Sequence, residues 1–323
     1  MRAAYNDKYG PPKNLRILEI DQPVPKEHEL LIKVHASGVN RTDCGFLRAK
    51  PFITRFFSGL FKPKNPIMGC EFSGEVVALD SQVTQFKKGD KVFGFDDINW
   101  GGHGEYKVIN EAKSVAVMPT NIDYLTAGCC IEGAHYALNY VRVLQNLGVH
   151  SVFVHGATGA IGSSAIQLLK QAGMRVVATS TTKSMSLIKS LGPDKVIDWQ
   201  KQDFTISDEK FDAVFDAVGK SSFKAAKRLL KPGGVYIATE LGPCAQNPFL
   251  GLISPLYKTV GAKRVLFPIP KNNKEIIEFL RDRIADGSFK PVLDKTYPLE
   301  RIIDAYTYVE SGQKTGNVVI KLV

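Results

Sequence analysis

Residues 151–162 are Ser-Val-Phe-Val-His-Gly-Ala-Thr-Gly-Ala-Ile-Gly, and residues 163–170 continue as Ser-Ser-Ala-Ile-Gln-Leu-Leu-Lys. Val152, Phe153 and Val154 form a short apolar run that is typical of a buried parallel strand. After the glycines, apolar residues recur at helical spacing. The sequence therefore predicts a strand, a glycine-rich turn and a helix, in that order.

The three glycines of this turn predict a site for a dinucleotide. Glycine permits positive φ and lets the backbone approach a ligand closely, while the following helix offers unpaired N–H groups and a positive dipole end to a pyrophosphate. Glycine turns also join strands to helices in proteins that bind no ligand. The predicted cofactor-binding residues of the turn are Gly156, Ala157, Thr158, Gly159, Ala160, Ile161 and Gly162.

The strand after this helix indicates which dinucleotide binds. It ends at Ser180, where the dinucleotide fold places the side chain that meets the adenosine ribose. No carboxylate stands there; the chain offers Ser180, Thr181, Thr182 and Lys183. A carboxylate would repel a 2′-phosphate, whereas hydroxyls and a cation suit it, so these residues predict NADPH rather than NADH. The alternative is a polar helix N-cap beside a solvated lysine.

Composition limits the class of protein. With 323 residues, 44% of them hydrophobic, the chain is long enough for two domains with separate cores. It has neither an apolar leader nor a stretch of ~18 apolar residues, so we expect a soluble, cytoplasmic protein. The five cysteines are an odd number without a CxxC pair, and we expect no disulfide framework.

The net charge of +10 suits an anionic cofactor, which a positive field attracts. Basic chains also bind nucleic acids. No basic helix, RNA-binding aromatic motif or zinc finger accompanies the charge, so we expect no specific nucleic-acid partner.

The pattern of elements changes along the chain. The first ~120 residues contain short strands separated by Gly, Pro and Asp, which predict a mainly-β domain. From Asp123, with a helix predicted over 123–146, strands and helices alternate as in an α/β domain with a doubly wound parallel sheet. The part from about Phe267 ends in a strand at 317–323, and we expect it to return to the first domain.

One irregular segment, residues 48–66, combines four phenylalanines with five cations. It is interpreted either as a surface loop with its aromatic side chains tucked under or as a lid over an apolar substrate cleft. Contact with a partner or a membrane surface is a third interpretation.

Several motifs occur in a characteristic order: Val39-Asn-Arg-Thr-Asp43, Gly69-Cys-Glu-Phe-Ser-Gly-Glu-Val76, Phe86-Lys-Lys-Gly-Asp-Lys-Val-Phe-Gly94, 154–162, Leu191-Gly-Pro-Asp-Lys-Val-Ile-Asp198, 211–219 and Leu230-Lys-Pro-Gly-Gly234. In this order they resemble the zinc-independent quinone oxidoreductase group of the medium-chain dehydrogenase/reductase superfamily. The resemblance implies a GroES-like catalytic domain of residues 1–122 and 266–323, and a Rossmann NADPH-binding domain of residues 123–265. It also implies a homodimer, formed by edge strands near 258–266.

Zinc-dependent alcohol dehydrogenases of the same superfamily carry a cysteine where this chain has Asn40 and a histidine where it has Cys70. A catalytic zinc needs three protein ligands, and Cys70 with Glu71 and either Cys44 or Asp43 would be an unusual set. We therefore predict no metal and interpret Cys70 as a small packed thiol. Residues 94–113 contain no cysteine, so the structural-zinc lobe is missing as well.

Without a metal to polarise an alcohol, reduction fits better than alcohol oxidation. The predicted reaction is hydride transfer from NADPH to a small-molecule quinone or α,β-unsaturated carbonyl compound. The alternatives are a zinc-dependent alcohol dehydrogenase and a catalytically silent NADPH-binding protein.

The resemblance implies further site residues. Asn40 would lie beside the nicotinamide and substrate, Asp43 would be a second catalytic residue, and Thr42 would bond the cofactor. The alternatives are an Asx turn for Asn40, and for Asp43 a pairing with Arg41 or the backbone. For His135 and Tyr136, packing in the core is favoured over reaching the cleft. The remaining predicted cofactor contacts are Trp199, Ala217, Val218, Gly219, Glu240, Phe267 and Asn317.

Overall fold

The computed structural model describes residues 1–219, 221–242, 246–253 and 262–323. It divides into two compact units, Met1–Glu132 with Asn272–Val323 and Gly133–Lys271. Both divisions lie later in the chain than the sequence-based boundaries at 122/123 and 265/266. Residues 258–261 of the expected dimer edge lie outside the described residues, so the homodimer stays a prediction.

The strands are β1 (Arg2–Tyr5), β2 (Arg16–Glu19), β3 (Glu29–Val39), β4 (Glu71–Leu79), β5 (Lys91–Phe95), β6 (Tyr106–Asn110), β7 (Val115–Val117), β8 (Ser151–His155), β9 (Arg175–Ser180), β10 (Lys195–Asp198), β11 (Phe211–Asp216), β12 (Leu230–Ala238), β13 (Arg264–Leu266), β14 (Leu293–Pro298) and β15 (Asn317–Lys321). The α-helices are α1 (Arg41–Arg48), α2 (Thr54–Ser58), α3 (Tyr124–Ala127), α4 (Glu132–Asn146), α5 (Ala160–Gln171), α6 (Met185–Ser190), α7 (Phe223–Ala226), α8 (Gln246–Ile253), α9 (Lys274–Ala285) and α10 (Ile302–Glu310).

The first unit is built on a mainly antiparallel sheet. Its strand order is β14-β15-β3-β4-β5-β7, and β6 also pairs with β3. Alternate residues of β3, namely Leu30, Ile32 and Val34, enter a core that also holds Phe72 and Tyr306. Because β15 pairs with β3, the last strand of the chain returns to the first unit, as the sequence predicts.

The second unit contains a six-stranded parallel sheet in the order β10-β9-β8-β11-β12-β13. The chain starts at β8, runs outward to β10, and then resumes on the other side at β11. This doubly wound order confirms the predicted fold class. In such sheets ligands bind where the order reverses, at the carboxyl ends of the strands. The glycine turn after β8 lies at that point.

The single helix predicted over 123–146 is wrong, because the structure has two helices, α3 and α4. A Cβ at Gly128 would lie 2.7 Å from the Ala36 carbonyl oxygen, so the backbone passes close to β3 at the break. Beyond it, the N–H groups of Ile131 and Glu132 bond a side chain from β4 instead of a preceding helical turn. A new helix therefore begins at Glu132.

Segment 48–66 contains the short helix α2, of which no residue is buried. Phe52, Phe56, Phe57 and Phe61 are all exposed. The interpretation of a loop with its aromatics tucked under is therefore wrong, because these four rings lie at the surface. Among the described residues, no helix is long and apolar enough to cross a membrane.

Candidate active site

The turn between β8 and α5 requires glycine at two positions. Gly156 has φ of +81°, and a Cβ there would lie 2.7 Å from the Val218 Cβ. A Cβ at Gly162 would lie 2.2 Å from the Gly156 carbonyl oxygen. Larger residues would push the helix off the strand, so these glycines set the close packing that brings the helix N-terminus to the sheet edge.

Gly159 has a different role, because its surroundings are open. It is the N-cap of α5, with φ −76° and ψ 171°, and no side chain caps the helix there. A Cβ at Gly159 would meet only one atom within 4 Å, the Gly156 carbonyl oxygen at 3.9 Å. An uncapped helix N-terminus beside open space fits a pyrophosphate group. The backbone of this turn could therefore hold a dinucleotide.

The end of β9 is more acidic than the sequence analysis assumed. The Thr182 hydroxyl donates to Asp198 Oδ2 at 2.6 Å, and Asp198 pairs with Ser180 across the parallel strands β10 and β9. The Ser180 side chain is buried and donates to the Thr181 carbonyl oxygen, whereas Lys183 is exposed. The prediction of NADPH used the residues after β9 only, and Asp198, at the end of the neighbouring strand β10, is the carboxylate that this choice left out.

The other predicted residues of the second unit also follow strand ends. The backbone N–H of Trp199 donates to the Ser180 carbonyl oxygen, and the Trp199 side chain is 49% exposed. After β11, the N–H groups of Val218 and Gly219 donate to Asp216 Oδ1 at 3.1 and 3.0 Å. The structure brings to this one sheet edge the predicted residues Gly156–Gly162, Ser180–Lys183, Trp199, Ala217–Gly219, Glu240 and Phe267.

In the first unit, Asn40 and Asp43 form the start of α1. The Asn40 N–H donates to Asp43 Oδ2 at 2.7 Å, and the Gly69 N–H donates to Asp43 Oδ1 at 3.2 Å. Burial raises the pKa of Asp43 well above its usual range. Both oxygens of Asp43 thus bond the backbone, which matches the alternative of a backbone pairing for this residue.

Glu71 of β4 lies at the centre of the polar interior. Its Oε1 accepts a hydrogen bond from Asn40 Nδ2 at 2.7 Å, and its Oε2 accepts from the N–H groups of Ile131 and Glu132 at 2.9 Å each. A Cβ at Gly38 would lie 2.1 Å from Glu71 Oε1, so β3 has glycine where the carboxylate packs. Burial raises the pKa of Glu71, and these hydrogen bonds oppose that rise.

A second buried acid adjoins Glu71. Glu132 is 4% exposed, and the Thr42 hydroxyl lies 2.6 Å from its Oε1. Burial, and then the charge of Glu71, raise the pKa of Glu132 to about 7, while the Thr42 bond and Lys314 lower it. Asp97 adds a smaller rise. We call Asn40, Thr42, Glu71 and Glu132 the Glu71 cluster.

Lys314 is a cation whose charge acts on both acids of the Glu71 cluster. Its Nζ donates to the Gly316 carbonyl oxygen at 2.9 Å. Burial lowers the pKa of Lys314, and Glu132 and Glu71 oppose that shift. Neither Glu132 nor Lys314 is among the site residues predicted from the sequence. An acid directly after the buried run Cys129-Cys130-Ile131 was the available signal for the first.

Cys70 is fully buried, and burial raises the pKa of its thiol well above the usual range. Nearby, His103 Nε2 lies 2.8 Å from the Gly38 carbonyl oxygen, and burial lowers its pKa to about 4. In the described ranges no group of three or more His, Cys, Asp or Glu residues could hold a metal ion. The side chains at the zinc-ligand positions of the related alcohol dehydrogenases are thus an amide bonded to Glu71 and a packed thiol.

Two further predicted residues have structural contacts. Asn317 opens β15, and its backbone N–H and its Nδ2 both donate to the Val292 carbonyl oxygen. His135 is 2% exposed, and its Nε2 lies 2.8 Å from the Lys271 carbonyl oxygen within the second unit. Packing in the core, the interpretation favoured for His135, agrees with this burial.

The first unit also contains a cavity of about 510 Å³. It is lined by Tyr9, Phe46, Phe56, Phe57, Ser58, Pro63, Lys64, Asn65, Met68, Asp97, Ile98 and Trp100. Phe46 lies four residues after Thr42 on α1, so the two side chains share a helix face. Asp97 joins the cavity to the Glu71 cluster electrostatically, because its charge acts on Glu132. An aromatic cavity of this size suits a small, flat, mostly apolar ligand.

Two protein-family models match different parts of the chain. Residues 26–154 match the model of the alcohol dehydrogenase GroES-like domain, and residues 191–320 match that of the zinc-binding dehydrogenases. These matches, with the doubly wound sheet and its glycine turn, define an oxidoreductase that has a GroES-like domain and a nucleotide-binding domain.

Individual relatives give the family. The chain is 32% identical to 2-methylene-furan-3-one reductase of Solanum lycopersicum, over 98% of this chain and 78% of that protein. It is 32% identical to the chloroplastic NADPH-dependent alkenal/one oxidoreductase of Arabidopsis thaliana, over 99% and 79%. The quinone oxidoreductase structure from Coxiella burnetii shares the fold, with a TM-score of 0.85, 24% identity and coverage of 100% and 99%. The chain belongs to the zinc-independent quinone oxidoreductase-like group of the medium-chain dehydrogenase/reductase superfamily.

The open space at Gly159 gives a direct test of the glycine turn. Gly159→Ala places a methyl group where the pyrophosphate is expected, without a clash in the protein. We expect the dissociation constant for NADPH to rise about tenfold or more, because the methyl group would displace the pyrophosphate from the turn. A tenfold rise corresponds to a loss of about 1.4 kcal/mol of binding free energy. The unfolding free energy should change by less than about 1 kcal/mol. Fluorescence titration and urea unfolding measure the two quantities.

Gly173→Ala is the matched control in the same unit. Gly173 has φ of +75°, and an added methyl group would have no atom within 4 Å, so alanine there costs about 1–2 kcal/mol of stability without a clash. It should leave NADPH binding unchanged. If Gly159→Ala bound NADPH as tightly as the unaltered protein, the turn would not be the pyrophosphate site.

Proposed function

We propose that this protein is an NADPH-dependent reductase that transfers hydride to a quinone or an α,β-unsaturated carbonyl compound without a metal. The observation that carries the proposal is the Glu71 cluster, where Asn40 bonds Glu71 at a zinc-ligand position of related alcohol dehydrogenases. The names of the relatives support the same chemistry, since they describe reductases of enones, alkenals and quinones.

The choice of NADPH rests on the end of β9. Lys183 is exposed, so its ammonium group can reach a 2′-phosphate. The nearby Asp198 opposes this choice, but its oxygens already accept bonds from the Thr182 hydroxyl and the Gln200 N–H. The Arabidopsis relative is named as NADPH-dependent. The bound cofactor supplies the hydride, and the Gly156–Gly162 backbone holds its pyrophosphate.

The cavity of the first unit is proposed as the acceptor site. Phe46, Trp100 and Met68 offer flat apolar surfaces, which suit the ring of a quinone or a conjugated enone.

Reduction also needs a proton, and we propose that Glu132 supplies it through Thr42. Hydride addition leaves negative charge on the acceptor oxygen. The Thr42 hydroxyl gives its proton to this reduced acceptor and takes one from the Glu132 carboxylic acid, 2.6 Å away. Glu132 is left as a carboxylate and regains a proton from solvent. Burial, and then the charge of Glu71, raise the pKa of Glu132 to about 7, so that a large fraction of Glu132 carries the proton near neutral pH.

A substrate panel tests the activity itself. Purified protein should consume NADPH with quinones, enals or enones, and should oxidise simple alcohols with NADP⁺ far more slowly. Loss of NADPH absorbance measures the first reaction and its gain the second. Lack of turnover with every acceptor, together with tight NADPH binding, would instead support the silent NADPH-binding protein.

The variant Lys183→Ala tests the preference for NADPH over NADH in the same assay. Lys183→Ala should raise the KM for NADPH about tenfold and leave the KM for NADH unchanged, because only NADPH carries the 2′-phosphate. An equal effect on both cofactors would contradict the assignment of Lys183 to the phosphate.

Glu132→Gln tests the proton donor. Glutamine keeps the size and a hydrogen bond to Thr42 but has no acidic proton, so kcat should fall about 10²-fold or more. In the unaltered enzyme kcat should be constant at low pH and fall as pH rises through about 7, as Glu132 ionises. The variant should lack this fall. Initial rates over a pH series, at saturating cofactor and acceptor, measure both effects.

The unfolding free energy provides the control for the Glu132→Gln variant. The pKa of Glu132 is raised from 4.5 to about 7, so the folded protein binds the extra proton between those values and loses stability as pH rises through that range. Glu132→Gln should therefore be at least as stable as the unaltered protein above neutral pH. An unaltered pH profile of kcat in a folded variant would contradict the role of Glu132.

A further inference from the structure

The segment around α2 carries an unusual exposed surface. Six large apolar side chains lie within ten residues, and their exposed fractions run from 45% at Leu60 to 87% at Phe61. We call Phe52, Ile53, Phe56, Phe57, Leu60 and Phe61 the aromatic patch. Contiguous exposed apolar patches on a protein mark interaction sites, whereas scattered single side chains do not.

Positive charge flanks the patch along the chain. No acidic residue occurs between Asp43 and Glu71 in the sequence. Lys50, Lys62 and Lys64 are exposed, and none has an ion-pair partner among the residues that the structure describes. These three lysines therefore present their charge to whatever the patch contacts.

The patch is held in place from beneath. The Tyr9 hydroxyl donates to the Gly59 carbonyl oxygen at 2.6 Å, and it lies 2.7 Å from Ser58 Oγ. The Arg55 guanidinium stacks over the rings of Tyr9 and Phe52, at 4.8 and 5.5 Å from their centroids. The exposed aromatics thus belong to an ordered turn that is anchored by polar contacts.

We propose that the aromatic patch docks on an anionic lipid surface. Phenylalanine and isoleucine side chains enter the interface between headgroups and acyl chains, while lysines at the rim meet lipid phosphates. A second copy of the chain is a poorer occupant, because a two-fold contact would set the same cationic rim against itself. Docking of this kind needs no membrane-spanning helix.

The aromatic patch also adjoins the proposed acceptor cavity. Phe56 and Phe57 are mostly exposed and yet line that cavity, so it reaches the surface at the patch. A lipophilic acceptor dissolved in the bilayer would enter from the docked face. This last step rests on the proposed function, whereas lipid binding does not.

The test uses the full-length protein and vesicles. Sedimentation with phosphatidylcholine vesicles that contain phosphatidylglycerol should deplete the protein from solution, and pure phosphatidylcholine vesicles should bind it far less. Lys50→Glu with Lys62→Glu should weaken binding at least about 25-fold, since each lysine near an anionic surface is worth about fivefold. Phe52→Ser with Phe61→Ser should weaken it about tenfold or more. These four residues lie outside the cavity lining.

Phe249→Ser is the matched control, because Phe249 is as exposed as Phe52 but lies on α8 in the second unit. It should bind vesicles like the unaltered protein, and thermal melting should show all variants folded. Equal binding by the Phe52/Phe61 variant and the unaltered protein would overturn the proposal. So would a dimer in lipid-free sedimentation that this variant dissociates, since the patch would then join two copies. Vesicle binding by a protein inactive on every acceptor would refute the proposed function alone.

Discussion

The Glu71 carboxylate is the interaction on which the polar interior of the first unit depends. It is buried, and it is held by three donors: the side-chain amide of Asn40, just before α1, and the backbone N–H groups of Ile131 and Glu132, where α4 begins. A buried carboxylate is tolerated only when such donors compensate for lost water. Its position therefore explains the glycine at position 38, the break between α3 and α4, and the orientation of Asn40 and Glu132.

The two units contribute different chemistry. The second unit offers mostly backbone: a glycine turn, an uncapped helix end and the N–H groups that follow parallel strands. The first unit offers side chains: two buried acids, Glu71 and Glu132, a threonine hydroxyl beside Glu132, and an aromatic cavity. Backbone N–H groups suit the pyrophosphate of a dinucleotide cofactor. Side chains suit an acceptor that must be selected and a proton that must be delivered to it. In the proposed reductase, the second unit would bind the cofactor and Thr42 of the first unit would deliver the proton.

The sequence predicted those features that local patterns determine. The turn at Gly156–Gly162 follows from one strand, three glycines and one helix, and the alternation after Asp123 led directly to the doubly wound sheet. Features that depend on distant contacts were missed. Asp198 lies beside Thr182 only because β10 pairs with β9, and the helix over 123–146 breaks because Glu71, far earlier in the chain, bonds its backbone.

The same distinction applies to the candidate site. Asn40 was predicted from a motif, yet its partner Glu71 and the raised pKa of Glu132 depend on burial that no local pattern shows. The exposure of the phenylalanines in 48–66 also depends on tertiary packing. The sequence of the single helical turn α2 does not show whether another element covers its outer face.

The central claim is that the Glu71 cluster works through hydrogen bonds and proton transfer in place of a metal. Metal analysis of catalytically active protein, before and after dialysis against a strong chelator, tests it most directly. We expect substoichiometric zinc, and NADPH-dependent reduction that the chelator leaves unchanged. Stoichiometric zinc, with activity that is lost on chelation and restored by zinc alone, would contradict the account.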